Sequence, residues 1–353
     1  MKKNEIIDND VLDIINRDIP FDKLYGKTIL ISGANGYVPA YFVYTFLMLN
    51  DYKNANITVL ALCRNEERAK TRFSEYLERS DFQLLIQDVC EPIQVNQPIH
   101  IYIHAASPAG IKSRYLDPVN TFLANVKGCE NMLESAIKNP CEHFLFLSSV
   151  DIYGKMDHTN RLVEDESGSL DTMNVRNTYS CSKRAAENLC TAYYAKYNLP
   201  VSVVRPFQIV GPGPELDDGR LHIDFISQIL QGNQIVLKSD GTARRTFLYI
   251  TDAIAGMLTV MLCGKIGQAY NVVDEQGEAS VKELAQIMAN CVKNKRVEVV
   301  FDYTQRNSIE VTGAISVVTG SSQKILSLGW QPRLSLMQGA IRMMQYYGIE
   351  TKE

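Results

Sequence analysis

The chain has 353 residues, enough for about two domains at roughly 150 residues each, and its 46% hydrophobic and 22% charged content is ordinary globular usage that excludes a disordered or fibrous protein. Its 36 Lys and Arg against 40 Asp and Glu leave a net charge of −4, so it carries no basic footprint for nucleic acid and no polybasic membrane anchor. Eight scattered cysteines without a C-x-x-C pair indicate a reduced, cytoplasmic chain, and the five histidines give no support for a metal site.

Met1 to Pro20 alternates charges with short apolar pieces and lacks the apolar core of a secretory signal. Residues 1–26 are expected to form a helical extension packed on the main body. Thr28 to Asn50 is uncharged and long enough to span a bilayer. However, Ser32, Gly33, Asn35, Gly36 and Pro39 fit a strand, a glycine turn and a helix better, so no membrane association is expected. Apolar runs then alternate with helical patterns. Strands are predicted at 27–33, 57–63, 82–89, 100–106, 143–150 and 200–207, with helices at 40–50, 64–80, 121–138 and 180–197. Short apolar strands alternating with helices define an α/β protein with a parallel sheet covered on both faces. The pattern makes 27–207 one nucleotide-binding domain. Residues 208–353 are mainly a smaller substrate-binding region, from which about 247–275 return to the first domain.

The first strand runs into Gly33-Ala34-Asn35-Gly36-Tyr37-Val38-Pro39, and a helix follows. Gly33 permits a tight turn, Gly36 lets the backbone approach a pyrophosphate, and the helix start offers free N–H groups. Gly33, Asn35, Gly36, Tyr37 and Val38 are therefore assigned to a dinucleotide. Pro39 stands where a third glycine is expected and falls in the first helical turn, where a missing N–H is tolerated. At the end of the second strand an acid would bind the ribose 2′-hydroxyl of NAD. The chain reads Leu60-Ala61-Leu62-Cys63-Arg64-Asn65 there, and Arg64 suits a 2′-phosphate, so NADP(H) is preferred with NAD(H) as the alternative. Downstream, Ser149 and Asp151 lie at the end of the fifth strand. Tyr179 and Lys183 are four apart on a helix, hence on one face. A lysine ammonium beside a phenol favours the phenolate, which can exchange a proton with a sugar hydroxyl or carbonyl. Ser149 can hydrogen-bond the same oxygen.

These pieces, with QDV at Gln87–Val89, HAAS at His104–Ser107, DPVNTFLANVKGCENMLESA at Asp117–Ala136, SSVDIYG, YSCSKRAAE, RPFQIVGPG at Arg205–Gly213, DDGR at Asp217–Arg220, SDGTARRTFLYITDA and LGWQP at Leu328–Pro332, resemble the extended short-chain dehydrogenase/reductase family, in its nucleotide-sugar branch. The similarity runs from about Lys27 to Tyr347. It implies a Rossmann-type doubly wound sheet and a homodimer through the helices at 129–138 and 182–197. It implies adenine contacts at Asp88 and Val89 and a cofactor loop at Ala105, Ala106 and Ser107, with Asn125 also on the cofactor side. Ser149, Tyr179 and Lys183 become the catalytic triad, with Tyr179 and Lys183 also touching the cofactor. Arg245 becomes the grip on a substrate diphosphate, with Arg220 and Gln208 in the same pocket, although Gln208 replaces a usual asparagine. After Ser149 the family's dehydratases carry Asp-Glu and its glucuronate decarboxylases Ser-Glu, whereas this chain has Val150-Asp151. The first reading is therefore an NADPH-linked ketoreductase of a nucleotide-diphosphate sugar or polyol precursor for surface polysaccharide. The alternative is an epimerase or glucuronate-decarboxylase-like enzyme with a recycled cofactor and Asp151 as its carboxylate. A non-catalytic nucleotide-binding scaffold is the remote third. The base, the sugar and the reacting carbon depend on the loops at 108–116, 208–222 and 238–246.

Overall fold

The computed structural model describes residues 4–108, 116–305 and 317–352. Six strands before residue 207 carry continuous apolar runs: β1 (Thr28–Ser32), β2 (Thr58–Cys63), β3 (Phe82–Ile86), β4 (Ile101–His104), β5 (His143–Leu147) and β6 (Val201–Pro206). Such strands demand cover on both faces. They form a parallel sheet of seven in the order β10-β6-β5-β4-β1-β2-β3, with β10 (Ala269–Val272) as the seventh. The strand order reverses between β1 and β4, which opens a crevice at their C-terminal ends.

Side chains alternate across this sheet. Ile29, Ile31, Val59, Ile103 and Leu145 face α1 (Glu5–Ile15), α2 (Tyr37–Lys53) and a later apolar helix, Ile250–Cys263. Leu30, Leu60, Tyr102, Phe144 and Phe146 face Pro118–Ile137 and Thr178–Tyr197. In chain order the remaining helices are α3 (Glu66–Arg72), α4 (Pro118–Ile137), α5 (Thr178–Tyr197), α6 (Leu221–Gln231), α7 (Ile250–Cys263), α8 (Val281–Cys291), α9 (Gln323–Leu326) and α10 (Leu336–Tyr346). The uncharged run from Thr28 to Asn50 divides into β1, a turn and α2, and among the described residues no helix is long and apolar enough to cross a membrane.

The charged helix expected at 64–80 stops at Arg72. Asn65 caps its start by accepting from the Arg68 N–H at 2.9 Å. The chain then turns because Phe73 is wholly buried, its ring 5.3 Å from Phe82 and 6.1 Å from Tyr44. Burying that ring outweighs the helix propensity of the residues that follow.

A second, smaller sheet is organised by β9 (Arg244–Tyr249). Its first half pairs with β11 (Glu278–Ser280) and β13 (Val317–Val318), and its second half with β7 (Gln208–Val210). Another pair joins β8 (Gln234–Leu237) to β12 (Glu298–Phe301).

Helix α1 ties the two regions together through a buried carboxylate. Asp10 is completely buried and accepts from the Tyr249 hydroxyl at 2.8 Å and from Arg342 Nη1 on α10 at 2.9 Å. Burial pushes its carboxyl up to about 6, against the pull of Tyr249 and Arg342. An unfolded Asp10 titrates near 3.8, so between that pH and about 6 the folded state holds the extra proton and stability falls as pH rises. The difference amounts to about 3 kcal/mol at roughly 1.4 kcal/mol per unit. Urea midpoints measured across this range should therefore fall relative to those of Asp10→Asn and run parallel to them above pH 6. A gap between the two proteins that does not change with pH contradicts the assignment.

Candidate active site

The crevice begins at the turn after β1. Gly33 has φ +66°, and a Cβ there would lie 2.7 Å from the Ala106 Cα, so only glycine lets the two loops meet. Gly36 is the N-cap of α2 and makes no side-chain bond. The first-turn N–H groups of Tyr37 and Val38 therefore point out of the helix unpaired, where the helix dipole adds positive potential. Asn35 lies in the same turn. This cradle fits a dinucleotide pyrophosphate. Across from it, the Ser32 hydroxyl accepts from the Ala105 and Ala106 N–H groups, both at 3.1 Å, and the Ser107 Oγ is buried without a protein partner.

Past the end of β3, α4 holds the Asp88–Val89 loop. Asn131 donates to the Val89 carbonyl at 2.9 Å, and a Cβ on Gly128 would collide with Val89 at 2.8 Å. Arg64 is exposed and its Nη1 stands 3.7 Å from the Asp88 carboxylate. Asn125 is fully buried, and its side-chain nitrogen donates to the Thr121 carbonyl and to Ser182 Oγ at 2.9 Å, so that amide braces α4 against α5.

Strand β5 runs into Ser148 and Ser149. Ser149 caps a 3₁₀ turn over Val150–Tyr153, accepting from the Asp151 N–H at 3.2 Å, which leaves its own O–H free to donate. Tyr179 stands in the first turn of α5, and Lys183 lies one turn on, both buried. Lys183 donates to the Leu147 carbonyl at 2.7 Å, and its Nζ lies 5.9 Å from the Tyr179 ring centre and 4.8 Å from that of Phe146. The end of β5 and the start of α5 thus bring Ser149, Tyr179 and Lys183 to one place.

Asp151, two residues after Ser149, interacts with a charge on the small sheet. Arg245 on β9 is half-buried, and its Nη1 donates to the Arg244 carbonyl at 2.7 Å. Burial pulls its pKa below the ordinary arginine value, and the Asp151 carboxylate opposes that shift, so the two charges attract each other. Gln208 is exposed on β7 in register with Phe247, which puts it on the same face of the small sheet as Arg245. Arg220 is placed elsewhere. Its guanidinium lies 5.1 Å over the Tyr37 ring and 3.3 Å from Asp218, with Nη1 buried and unpartnered. That position is beside the start of α2. His222, nearby, is buried, and burial together with Arg220 pushes its imidazole down to about 3, so it is neutral. Of the loop at 108–116, residues 109–115 lie outside the described residues.

Sequence reasoning passed over a buried polar layer behind the site. Arg205 grips Glu187 at 3.1 and 2.7 Å and bonds the Tyr153 hydroxyl at 3.1 Å, and Tyr153 in turn donates to Asn271 at 2.6 Å. Arg184 folds back onto backbone carbonyls of the 3₁₀ turn. A buried arginine between apolar strand residues was the available signal for the first. No spacing rule indicates the second. Among the described residues, no cluster of three or more His, Cys, Asp or Glu could hold a metal.

The crevice, the cradle and the Ser-Tyr-Lys constellation define a nucleotide-dependent enzyme of short-chain dehydrogenase type. The model of the NAD dependent epimerase/dehydratase family matches residues 29–273, and the chain belongs to that family. UDP-glucuronic acid decarboxylase 1 of Danio rerio is 30% identical over 92% of this chain and 73% of its own length. UDP-glucuronic acid decarboxylase 6 of Arabidopsis thaliana is 29% identical over 88% of this chain and 86% of its own. Among solved structures, UDP-glucuronic acid 4-epimerase from Bacillus cereus, in complex with UDP-glucuronic acid and NAD, superposes with a TM-score of 0.73 at 20% identity, covering 91% of this chain and 99% of that one. dTDP-glucose 4,6-dehydratase from Bacillus anthracis, in complex with NAD, gives 0.72 at 20%, covering 91% and 96%.

Gly33→Ala is expected to raise the NAD dissociation constant about tenfold or more, since its Cβ would push the Ala106 loop out of the cradle. Calorimetric titration of the folded variant checks this, and unchanged affinity contradicts the cradle.

Proposed function

We propose that the chain decarboxylates a nucleotide-diphosphate-linked uronic acid, with UDP-glucuronic acid the first candidate, using an NAD that is regenerated in each turnover. The observation that carries this reading is that Asp151, in the turn that Ser149 caps, interacts electrostatically with Arg245 of β9. It is supported by curated relatives named as UDP-glucuronic acid decarboxylases along most of the chain. These names favour the recycled-cofactor alternative over net reduction by NADPH. Arg64 argues the same way. Its guanidinium already has Asp88 beside it, and a 2′-phosphate there would meet that carboxylate.

Gly33, Gly36, Tyr37, Val38, Ala105, Ala106 and Arg220 would hold the dinucleotide, with Asp88 and Val89 at the adenine. Bound NAD supplies an oxidant, and later a reductant, for one sugar carbon. Tyr179, its phenolate favoured by Lys183, takes the proton from the hydroxyl on that carbon, and Ser149 donates to the same oxygen. A carbonyl formed β to the carboxylate weakens the bond to it. That bond breaks, CO2 leaves, and the electron pair moves onto the carbonyl oxygen, where Ser149 and the protonated Tyr179 hold the charge. Arg245 anchors the anionic substrate through its planar fork. Asp151 passes a proton from solvent to the carbon that lost CO2. Val150 has no acidic proton, which disfavours dehydration. We also propose a homodimer through the outer faces of α4 and α5, where Val119, Phe122, Leu123, Tyr194 and Tyr197 are exposed.

Incubation with UDP-glucuronic acid and NAD should yield CO2 and a UDP-pentose with no net NADH. Tyr179→Phe should lower kcat by about 10²–10⁴-fold while NAD still binds. Consumption of NADPH on a keto sugar without CO2 release would instead restore the ketoreductase reading. Arg64→Ala should then weaken NADPH far more than NADH.

A further inference from the structure

We propose that Arg184 is a positioning residue that holds Asp151 in place against Arg245. The proposal rests on the role given to Asp151 above. Arg184 follows Lys183 on α5, yet its side chain turns away from solvent toward the 3₁₀ turn. Its Nε donates to the Ile152 carbonyl at 2.5 Å, and its Nη2 donates to Tyr153 at 3.1 Å and to Gly168 at 2.8 Å. A single 3₁₀ turn leaves its last carbonyls without partners inside the turn, and a cation at that end is favourable. Arg184 therefore closes the C-terminal end of the turn whose N-terminal end Ser149 caps. Asp151 is held between these two anchors.

The third carbonyl extends the hold. Gly168 is where the chain returns from an excursion over 155–167, and the Lys155 and Ser169 backbones exchange hydrogen bonds at 2.9 Å there. The junction is tight, for a Cβ on Gly168 would lie 2.3 Å from the Lys155 carbonyl and one on Gly154 2.5 Å from that of Ser169. The excursion carries Arg161, paired with Glu275 at 3.5 Å and Glu278 at 3.2 Å. Glu278 lies on β11, in register with Thr246 of β9, the residue after Arg245. One guanidinium thus fixes the turn bearing Asp151 and the segment that reaches β11, the neighbour of the strand bearing Arg245. Burial pulls the Arg184 pKa downward, so the charge is partly desolvated and given over to carbonyls.

Tyr179 and Lys183 have separate supports. Lys183 bonds the Leu147 carbonyl, and Ser182, held by Asn125, donates to the Tyr179 carbonyl at 2.8 Å. Loss of Arg184 should therefore spare the oxidation step and impair the step that needs Asp151.

The test uses the full chain with Arg184→Lys and Arg184→Gln, since a lysine keeps the charge but not the fork. Single-turnover NADH formation from UDP-glucuronic acid should stay near wild type. Steady-state CO2 release should fall about tenfold or more, with little change in KM for the sugar and oxidised sugar escaping. Amide hydrogen exchange at Ile152 and Gly154 should speed up about tenfold while the thermal midpoint holds. The proposal is overturned if NADH formation slows as much as CO2 release, if neither changes, or if those amides exchange at the wild-type rate. Asp151→Asn separates the two ideas. If it turns over like wild type, or if UDP-glucuronic acid is no substrate, the functional reading fails and the exchange data alone decide whether Arg184 holds the turn.

Discussion

The hydroxyl of Ser32 sets the width of the crevice on which the rest of the site depends. Ser32 is the last residue of β1 and pairs with His104 of β4, the strands between which the order reverses. Its oxygen accepts two backbone N–H groups, from Ala105 and Ala106, and lies 2.7 Å from His104 Nδ1. A hydroxyl has two acceptor positions and one proton, so with both positions filled the proton goes to Nδ1. His104 then carries its own hydrogen on Nε2. Burial and the nearby Lys183 charge push its imidazole down to about 3, which keeps the ring neutral. A protonated ring would place a second cation near Lys183 and break the Ser32 bond. This knot draws the β4 loop onto Gly33 until no room remains for a Cβ.

Around that knot the site is built from desolvated cations tied to backbone carbonyls. Lys183 takes Leu147, Arg184 takes Ile152, Tyr153 and Gly168, and Arg205 takes Glu164 as well as the Glu187 carboxylate. Burying a charge is costly unless its donors are all met. Carbonyls at strand and turn ends meet them without adding acids that would compete for the substrate. The arrangement also fixes geometry, because each cation joins α5 or β6 to the end of β5 or to the segment after it. That segment therefore has little freedom to move relative to Tyr179.

The sequence made the periodic features legible. Strand after apolar strand alternating with amphipathic helices is enough to predict a parallel sheet. Gly33-x-x-Gly36 at a strand end and Tyr179 four residues before Lys183 are local patterns whose geometry follows from one element each. Features set by distant contacts were not legible. Helix α3 ends at Arg72 because Phe73 finds Phe82 and Tyr44, which charge patterning does not reveal. Arg220 and Arg245 read alike as loop and strand arginines. Only the packing of the 211–220 segment over α2 sends one to Tyr37 and leaves the other facing Asp151. Arg184 looks like a surface residue of an amphipathic helix, and its turn back to carbonyls exists only once the 3₁₀ turn has formed beside it.

Asp151 shows how long-range structure places a short side chain. An aspartate reaches one methylene less than a glutamate, so its carboxylate depends more on where the backbone places it. Here that backbone is a closed turn, its Asp151 N–H bonded to Ser149 and its far carbonyls bonded to Arg184. The partner charge comes from β9, which is pinned at Tyr249 by the buried Asp10 and at Arg244 by Glu278. A short side chain on a fixed turn interacts with a long one on a fixed strand. Backbone placement leaves the short side chain little conformational freedom to lose in that interaction. Because Asp10 lies on α1, the helix ahead of the matched family region takes part in placing Arg245.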